Sequence, residues 1–197
     1  TETNMNASNP FKGERKAGSV GKALKGTSIR IKSIGENNLL EINEPGMIEI
    51  KGPNVFKGYL NKPEKTKEAF TDDEYFITGD MGYFDKEDYL FISGRNKDLI
   101  ISGGYNVYPK EIEDIINQFD GIIESAVFGL SDDDLGEIPT AAIVANENNF
   151  NLDDLKKFIQ ENLARYKVPK KYFLISELPR NVMGKVQKNI LKINIHN

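Results

Sequence analysis

The sequence contains no cysteine and no tryptophan, and its one histidine is His196. Without cysteine there can be no disulfide, thiol nucleophile, zinc ribbon or iron–sulfur cluster. One histidine beside the chain end leaves no basis for His-based catalysis, a His-rich metal site or a Ser-His-Asp triad. No run approaches the ~20 apolar residues of a membrane span. No basic start, apolar core and small-residue cleavage site opens the chain, so a cytoplasmic location is expected. Twenty-six basic against 30 acidic residues give a net charge of −4. That balance argues against a general nucleic-acid binder. Any chemistry must rest on Lys, Arg, Asp, Glu, hydroxyls and backbone amides, a set suited to phosphate.

The 197 residues are 39% hydrophobic and include 11 Phe and 8 Tyr. That is enough for a true core, in one large domain or two small ones. Charge is uneven along the chain. Residues 165–192 hold eight basic side chains (Arg165, Lys167, Lys170, Lys171, Arg180, Lys185, Lys188, Lys192) and one acid, Glu177. A basic stretch on an acidic chain suits a small polyanion, or is a solvated lysine-rich tail.

The first half reads as strands and turns. Residues 1–17 are polar and Asn/Gly-rich, a loop pattern. Residues 28–34 and 47–51 alternate as strands, residues 61–70 suit a short helix, and residues 75–78 and 89–93 suit short strands around a turn at 85–88. After Gly94-Arg95-Asn96-Lys97-Asp98 the character changes, placing a domain boundary near Lys97. A short strand at 99–102 stops at Gly103-Gly104. Pro109 suits a first helical turn, and Ile112, Ile115, Ile116 and Phe119 form one apolar stripe. Residues 122–130 and 139–144 read as buried strands. Asn151 is a candidate N-cap for a helix with Leu152, Leu155, Phe158, Ile159 and Leu163 on one side. A strand at 172–175 and a helix at 186–193 close the chain. The fold class expected is α+β: a β-rich segment over 1–97, then a small α+β domain over 98–197 with a short mixed sheet flanked by helices.

Four short patterns are candidates for chemistry. In Pro179-Arg180-Asn181-Val182-Met183-Gly184-Lys185, a glycine-containing turn presents Lys185 on a mobile loop, where an ammonium on a long stem can reach a phosphate. Most lysines beside a turn glycine are surface residues and nothing more. In Ser102-Gly103-Gly104-Tyr105-Asn106, two glycines after a strand let a ligand approach the backbone, though an ordinary hairpin turn is the better explanation of these residues taken alone. In Thr78-Gly79-Asp80, an Asp past a strand can accept hydrogen bonds from ribose hydroxyls, as in dinucleotide-binding folds, or can simply serve a turn. Gly94-Arg95-Asn96-Lys97-Asp98 reads as a hinge with a nucleotide-facing Arg, or as a charged linker. The two standard glycine-rich nucleotide signatures do not occur. The run Ser131-Asp132-Asp133-Asp134 lacks calcium-loop spacing and reads as a solvated turn.

Taken in order, these pieces resemble the adenylate-forming superfamily of acyl-CoA synthetases, luciferases and peptide-synthetase adenylation domains. Thr1-Glu2 looks like the end of its Tyr-Gly-x-Thr-Glu motif. Gly18-Ser19-Val20-Gly21-Lys22 and Gly52-Pro53-Asn54-Val55-Phe56-Lys57-Gly58-Tyr59 match its next blocks. Thr78-Gly79-Asp80, Gly94 to Ile100, and Pro179 to Lys188 follow in order. The resemblance implies that Thr1 contacts the AMP phosphate and that Glu2 helps hold Mg²⁺. It gives Asp80 and Arg95 the ribose hydroxyls, and Lys97 the hinge about which a small C-terminal domain turns. Lys185 would bridge carboxylate and α-phosphate oxygens, and Gly103 and Gly104 would line the pantetheine tunnel. Ile101 stands where many luciferase-like relatives carry a lysine, so that lysine's role is assigned to no residue. Thr1-Glu2-Thr3-Asn4-Met5-Asn6-Ala7-Ser8-Asn9-Pro10 is similar to the malonyl-CoA and methylmalonyl-CoA synthetases.

The expected activity is therefore that of an AMP-forming acid–CoA ligase acting on malonate or methylmalonate, with ATP, Mg²⁺ and CoA. It would serve fatty acid metabolism. Because the chain opens inside a motif, it is expected to be the last part of the large domain plus the whole small domain. It would be inactive without the rest of the enzyme, its expected partner. An adenylation domain loading a carrier protein and a non-catalytic polyanion-binding fragment are the alternatives.

Overall fold

The structure, a computed structural model, describes residues 1–36, 38–146 and 150–196. It divides into two compact units, Thr1–Lys97 and Asp98–Asn197.

The first unit is an antiparallel sheet. Its strands are β1 (Ala7–Ser8), β2 (Ser19–Ala23), β3 (Ser28–Lys32), β4 (Gly46–Lys51), β5 (Phe76–Phe84) and β6 (Leu90–Arg95), in the order β1-β2-β6-β5-β4-β3. The alternation at 28–32 and 47–51 becomes the register Ile29↔Ile50 and Ile31↔Ile48. Ile31, Ile48, Ile50 and Leu90 are buried together on one face. Helix α1 (Pro63–Ala69) opens on Pro63, whose missing N–H costs nothing in a first turn. Around it Phe56, Tyr59, Phe70 and Phe76 pack with ring centroids 4.8–5.7 Å apart. The polar opening stretch contributes only the two residues of β1, while β2 forms over the Gly18-Ser19-Val20-Gly21-Lys22 block, for which the sequence predicted no strand.

The second unit is built on a mixed sheet. Strands β7 (Ile100–Ser102), β8 (Tyr105–Val107), β9 (Ile122–Asp132), β10 (Gly136–Ala145) and β11 (Lys171–Leu174) lie in the order β11-β10-β7-β8, with β9 also paired to β10. The β10–β11 pairing is parallel and the others antiparallel. Helices α2 (Pro109–Ile116), α3 (Leu152–Asn162) and α4 (Lys188–His196) cover it. The period of two along β9 and β10 sorts their side chains between two cores. Val127, Ala141 and Ile143 pack with Ile112 and Ile116 of α2 and Leu155 and Ile159 of α3. Ala126, Phe128, Ala142 and Val144 pack with Leu178 and with Leu191 of α4. A strand buried on both faces carries no polar alternation, so both sequences read as continuous apolar runs.

Asn151 caps α3, its Oδ1 accepting from the amides of Asp153 at 2.8 Å and Asp154 at 3.1 Å. The acidic run forms the β9–β10 turn, with Asp132 Oδ1 accepting from the amides of Asp134 and Leu135. Helix α4 starts at Lys188, two residues later than the sequence pattern suggests, because Val186 pairs with Arg180 in an isolated bridge. Among the described residues no helix is long and apolar enough to cross a membrane.

Leu155 is fully buried between α3 and the sheet. Leu155→Ala should destabilise the protein by about 2–5 kcal/mol. Replacing half-exposed Ile101 by Ala should change stability by less than about 0.5 kcal/mol. Urea unfolding followed by circular dichroism checks the contrast, and equal midpoints would contradict this packing.

Candidate functional site

In the first unit, the opening segment is laid along a cleft by one side chain. Asn54 Nδ2 lies 2.7 Å from the Thr3 carbonyl, 3.1 Å from the Met5 carbonyl and 2.9 Å from Asn6 Oδ1. Asn54 Oδ1 in turn accepts from the Thr27 hydroxyl. The amide of Phe56 donates to the Glu2 carbonyl at 2.8 Å. Two hydroxyls converge on the Glu2 carboxylate: Thr1 Oγ1 donates at 2.7 Å and Tyr59 at 3.3 Å. Tyr59 is itself placed by α1, its amide donating to Thr66 Oγ1 at 2.9 Å. The Thr1 hydroxyl is the main reason that the Glu2 carboxyl falls to about 2, so Glu2 is ionised at neutral pH.

Asp80 and Arg95 come together by strand register. The two are paired across β5 and β6, and Arg95 Nε stands 2.7 Å from Asp80 Oδ1. Thr78 fixes the approach of the chain to Asp80. Its hydroxyl donates to the Ile48 carbonyl at 2.8 Å and accepts from the Asp80 amide at 3.0 Å. Thr1, Glu2, Thr78, Asp80 and Arg95 all line one cleft of about 370 Å³, with Ile48, Ile50, Phe76 and Leu90 as its apolar part. Such a cleft offers an apolar surface for a ring, a carboxylate and guanidinium for hydroxyls, and a second carboxylate. Mg²⁺ is commonly held by one or two carboxylates together with substrate phosphates, so ionised Glu2 fits that ion. Among the described residues no group of three or more His, Asp or Glu forms a metal cluster.

The remaining predicted residues lie elsewhere. Lys97 is exposed in the 3₁₀ turn Asn96–Asp98 at the boundary of the two units. Gly103 and Gly104 form the tight turn between β7 and β8, with φ of 57° and 82°, where two left-handed residues in succession favour glycine. So the hairpin explanation of these glycines is realised. The turn is pinned by Gly103 N–H donating to the Leu135 carbonyl and by Ile101 N–H donating to Glu137 Oε2.

Lys185 is exposed, and its ammonium takes no hydrogen bond or ion pair among the described residues. The segment bearing it is not the loose loop that its composition suggests. Pro179 to Gln187 is a small hairpin, closed by the Arg180↔Val186 bridge. Asn181 N–H donates to the Lys185 carbonyl and Gln187 N–H to the Pro179 carbonyl.

The basic stretch is half compensated. Lys167 pairs with Glu111, Arg180 with Glu124, Lys188 with Glu113 and Lys192 with Glu137. Acids distant in sequence return in the fold to neutralise half of the eight cations. A broad polyanion-binding surface loses support accordingly. Asn54 and Thr78 were passed over at the sequence level. The available signals were an Asn after Gly-Pro and a Thr two residues before the Asp, both common side-chain-to-backbone bonding positions.

Residues 1–60 match the family described as AMP-binding enzyme, and residues 111–185 match the AMP-binding enzyme C-terminal domain. A malonate–CoA ligase of Arabidopsis thaliana is 41% identical over 209 aligned residues, covering all of this chain and 34% of that protein. A long-chain-fatty-acid–CoA ligase of Mycobacterium tuberculosis, FadD13, is 43% identical over 90% of this chain and 35% of its own length. Among solved structures, ATP-bound MatB from Rhodopseudomonas palustris superposes with a TM-score of 0.92 at 48% identity, covering all of this chain and 39% of that one. The o-succinylbenzoate CoA synthetase MenE of Bacillus subtilis, in complex with ATP and magnesium, gives 0.81 at 38% identity, covering 90% of this chain and 36% of that one. The chain spans about a third of the length of the curated relatives it matches.

Asn54→Asp keeps the size of the clamp and removes its donors. It should lower the stability of the first unit by about 1–3 kcal/mol, because carbonyls lose their partner and face a carboxylate. Asn54→Ala should cost a similar amount. Chemical denaturation of both variants checks this, and wild-type midpoints would contradict the clamp.

Proposed function

This chain belongs to the adenylate-forming, AMP-binding enzyme family, and on that premise we propose that it carries the C-terminal part of an AMP-forming acid–CoA ligase. The observation that carries the reading is the Asp80–Arg95 pair at the cleft that also takes Thr1 and Glu2. In this reading the nucleoside lies in the cleft, its ribose hydroxyls donating to Asp80 and accepting from Arg95. The Thr1 hydroxyl faces the α-phosphate. Glu2 is the ligand for Mg²⁺, which when bound supplies charge neutralisation for the phosphates.

A carboxylate oxygen of the acid attacks the α-phosphorus of ATP, the bond to the β-phosphate oxygen breaks, and pyrophosphate leaves. The ammonium of Lys185 bridges the carboxylate and an α-phosphate oxygen, offsetting charge that builds in the transition state. The CoA thiol then attacks the acyl carbonyl and AMP departs, with the pantetheine arm passing the Gly103–Gly104 turn. Lys97 is the hinge between the steps, and lid or domain rotation of this kind commonly separates two half-reactions. The domain assignment follows: 1–97 as the end of the large domain and 98–197 as the small mobile one.

The acid proposed is malonate or methylmalonate. Support comes from the opening motif from Thr1 to Pro10 and from the Arabidopsis malonate–CoA ligase, which aligns with the whole chain. A long-chain-fatty-acid–CoA ligase and a 2-succinylbenzoate–CoA ligase match at 43% and 44% identity over 90% of the chain, against 41% over all of it for the malonate ligase, so the acid is the point to test.

In the full-length enzyme, ATP–pyrophosphate exchange driven by malonate or methylmalonate should exceed that with 2-succinylbenzoate or a long-chain fatty acid. Lys185→Ala should lower that exchange by at least ~10²-fold, the cost of losing a charge-stabilising donor. It should leave transfer from pre-made acyl-AMP to CoA intact. Equal loss of both steps would overturn the role of Lys185, and preference for another acid would overturn the substrate.

A further inference from the structure

We propose that Asn181 is a positioning residue for Lys185, holding the root of its side chain so that the ammonium is presented in one direction. The inference rests on the reading of Lys185 as the adenylation lysine. Both backbone polar groups of Lys185 end on this one residue. The Lys185 amide donates to Asn181 Oδ1 at 3.0 Å, and the Lys185 carbonyl accepts from the Asn181 amide at 2.9 Å. Asn181 Oδ1 also accepts from the Met183 amide at 2.9 Å, and the Asn181 carbonyl accepts from Gly184 N–H at 2.8 Å. Gly184 takes φ of 78°, the left-handed residue that a three-residue hairpin turn requires.

The turn has almost no packing to order it otherwise. Val182 is fully exposed and Met183 is 75% exposed. A Cβ on Gly184 would meet nothing within 4 Å. Its geometry is thus held by polar bonds, which converge on Asn181. Arg180 ties the same turn to the sheet. Its Nη1 donates to the Gly184 carbonyl at 2.8 Å, and its Nη2 pairs with Glu124 of β9. A lysine stem has several rotatable bonds, so its reach is useful only if its root is fixed. Fixing both amide groups of Lys185 sets the Cα–Cβ direction and leaves only side-chain torsions to adjust.

The test uses the full-length enzyme and both half-reactions. Asn181→Ala should slow ATP–pyrophosphate exchange about tenfold in kcat, as expected for a misplaced catalytic group, with little change in the KM for ATP. Transfer from pre-made acyl-AMP to CoA should stay at the wild-type rate. Asn181→Thr, which restores an acceptor oxygen, should recover most of the exchange. Wild-type exchange in Asn181→Ala, equal loss of both half-reactions, or failure of Thr to restore would each overturn the inference. If Asn181→Ala melts too low to assay, Arg180→Met removes the tie to Glu124 and must reproduce the selective loss. Lys185→Ala is run alongside. If it keeps full exchange, the reading of Lys185 itself fails. If it alone loses exchange, only the positioning role fails.

Discussion

The antiparallel register of β5 and β6 sets Asp80 across from Arg95, and the cleft of the first unit is organised around that pair. The pair is half-exposed, and ion pairs of that kind contribute only about 0–1 kcal/mol to stability. Its use is therefore directional: a guanidinium and a carboxylate are held at fixed orientation on a rigid hairpin. The rest of the cleft is placed relative to them by hydrogen bonds. Thr78 anchors the approach to Asp80, while Asn54 and Phe56 lay the opening segment alongside and so bring Thr1 and Glu2 to the same surface. Rigid backbone ladders supply precision that side chains on loops could not.

The second unit solves a different problem. Among the described residues it leaves the Lys185 ammonium unpaired on an exposed turn, in a stretch crowded with cations. Four acids gathered from α2, β9 and β10 pair with four of the neighbouring basic residues. Glu113 goes further, accepting both from Lys188 and from the Val127 amide, so that it ties α2, β9 and the start of α4 together. The apolar layers on the two faces of β9 and β10 provide the stiff platform from which both short turns, at Gly103-Gly104 and at Val182-Met183-Gly184, project.

Much of this was legible in the sequence, for identifiable reasons. Helices α1 and α2 announce themselves by Pro at their first turn, α3 by an Asn cap, and β3, β4, β9 and β10 by period or by apolar runs. Those signals are local and strong. Strands β2 and β8 were not legible, because each is short and glycine-flanked and becomes a strand only by pairing with a partner far along or across a turn. The same division holds at the site. Asp80, Arg95 and Lys185 stand in recognisable patterns. The roles of Asn54, Thr78 and Asn181 depend on which amide or carbonyl the fold brings within 3 Å. Lys185 was expected beside a glycine turn on a mobile loop, and Gly184 does take the left-handed conformation, but the hydrogen bonds that close the turn were not legible in one dimension. In three dimensions residues of the turn itself supply those bonds.

The central claim is that the site activates a carboxylate by joining it to AMP. The most direct measurement supplies the full-length enzyme with carboxyl-¹⁸O-labelled malonate, ATP and CoA, and weighs the nucleotide product by mass spectrometry. Attack of a carboxylate oxygen on the α-phosphorus predicts AMP carrying one ¹⁸O, released together with the thioester. Unlabelled AMP, or ADP with the label in inorganic phosphate, would contradict it.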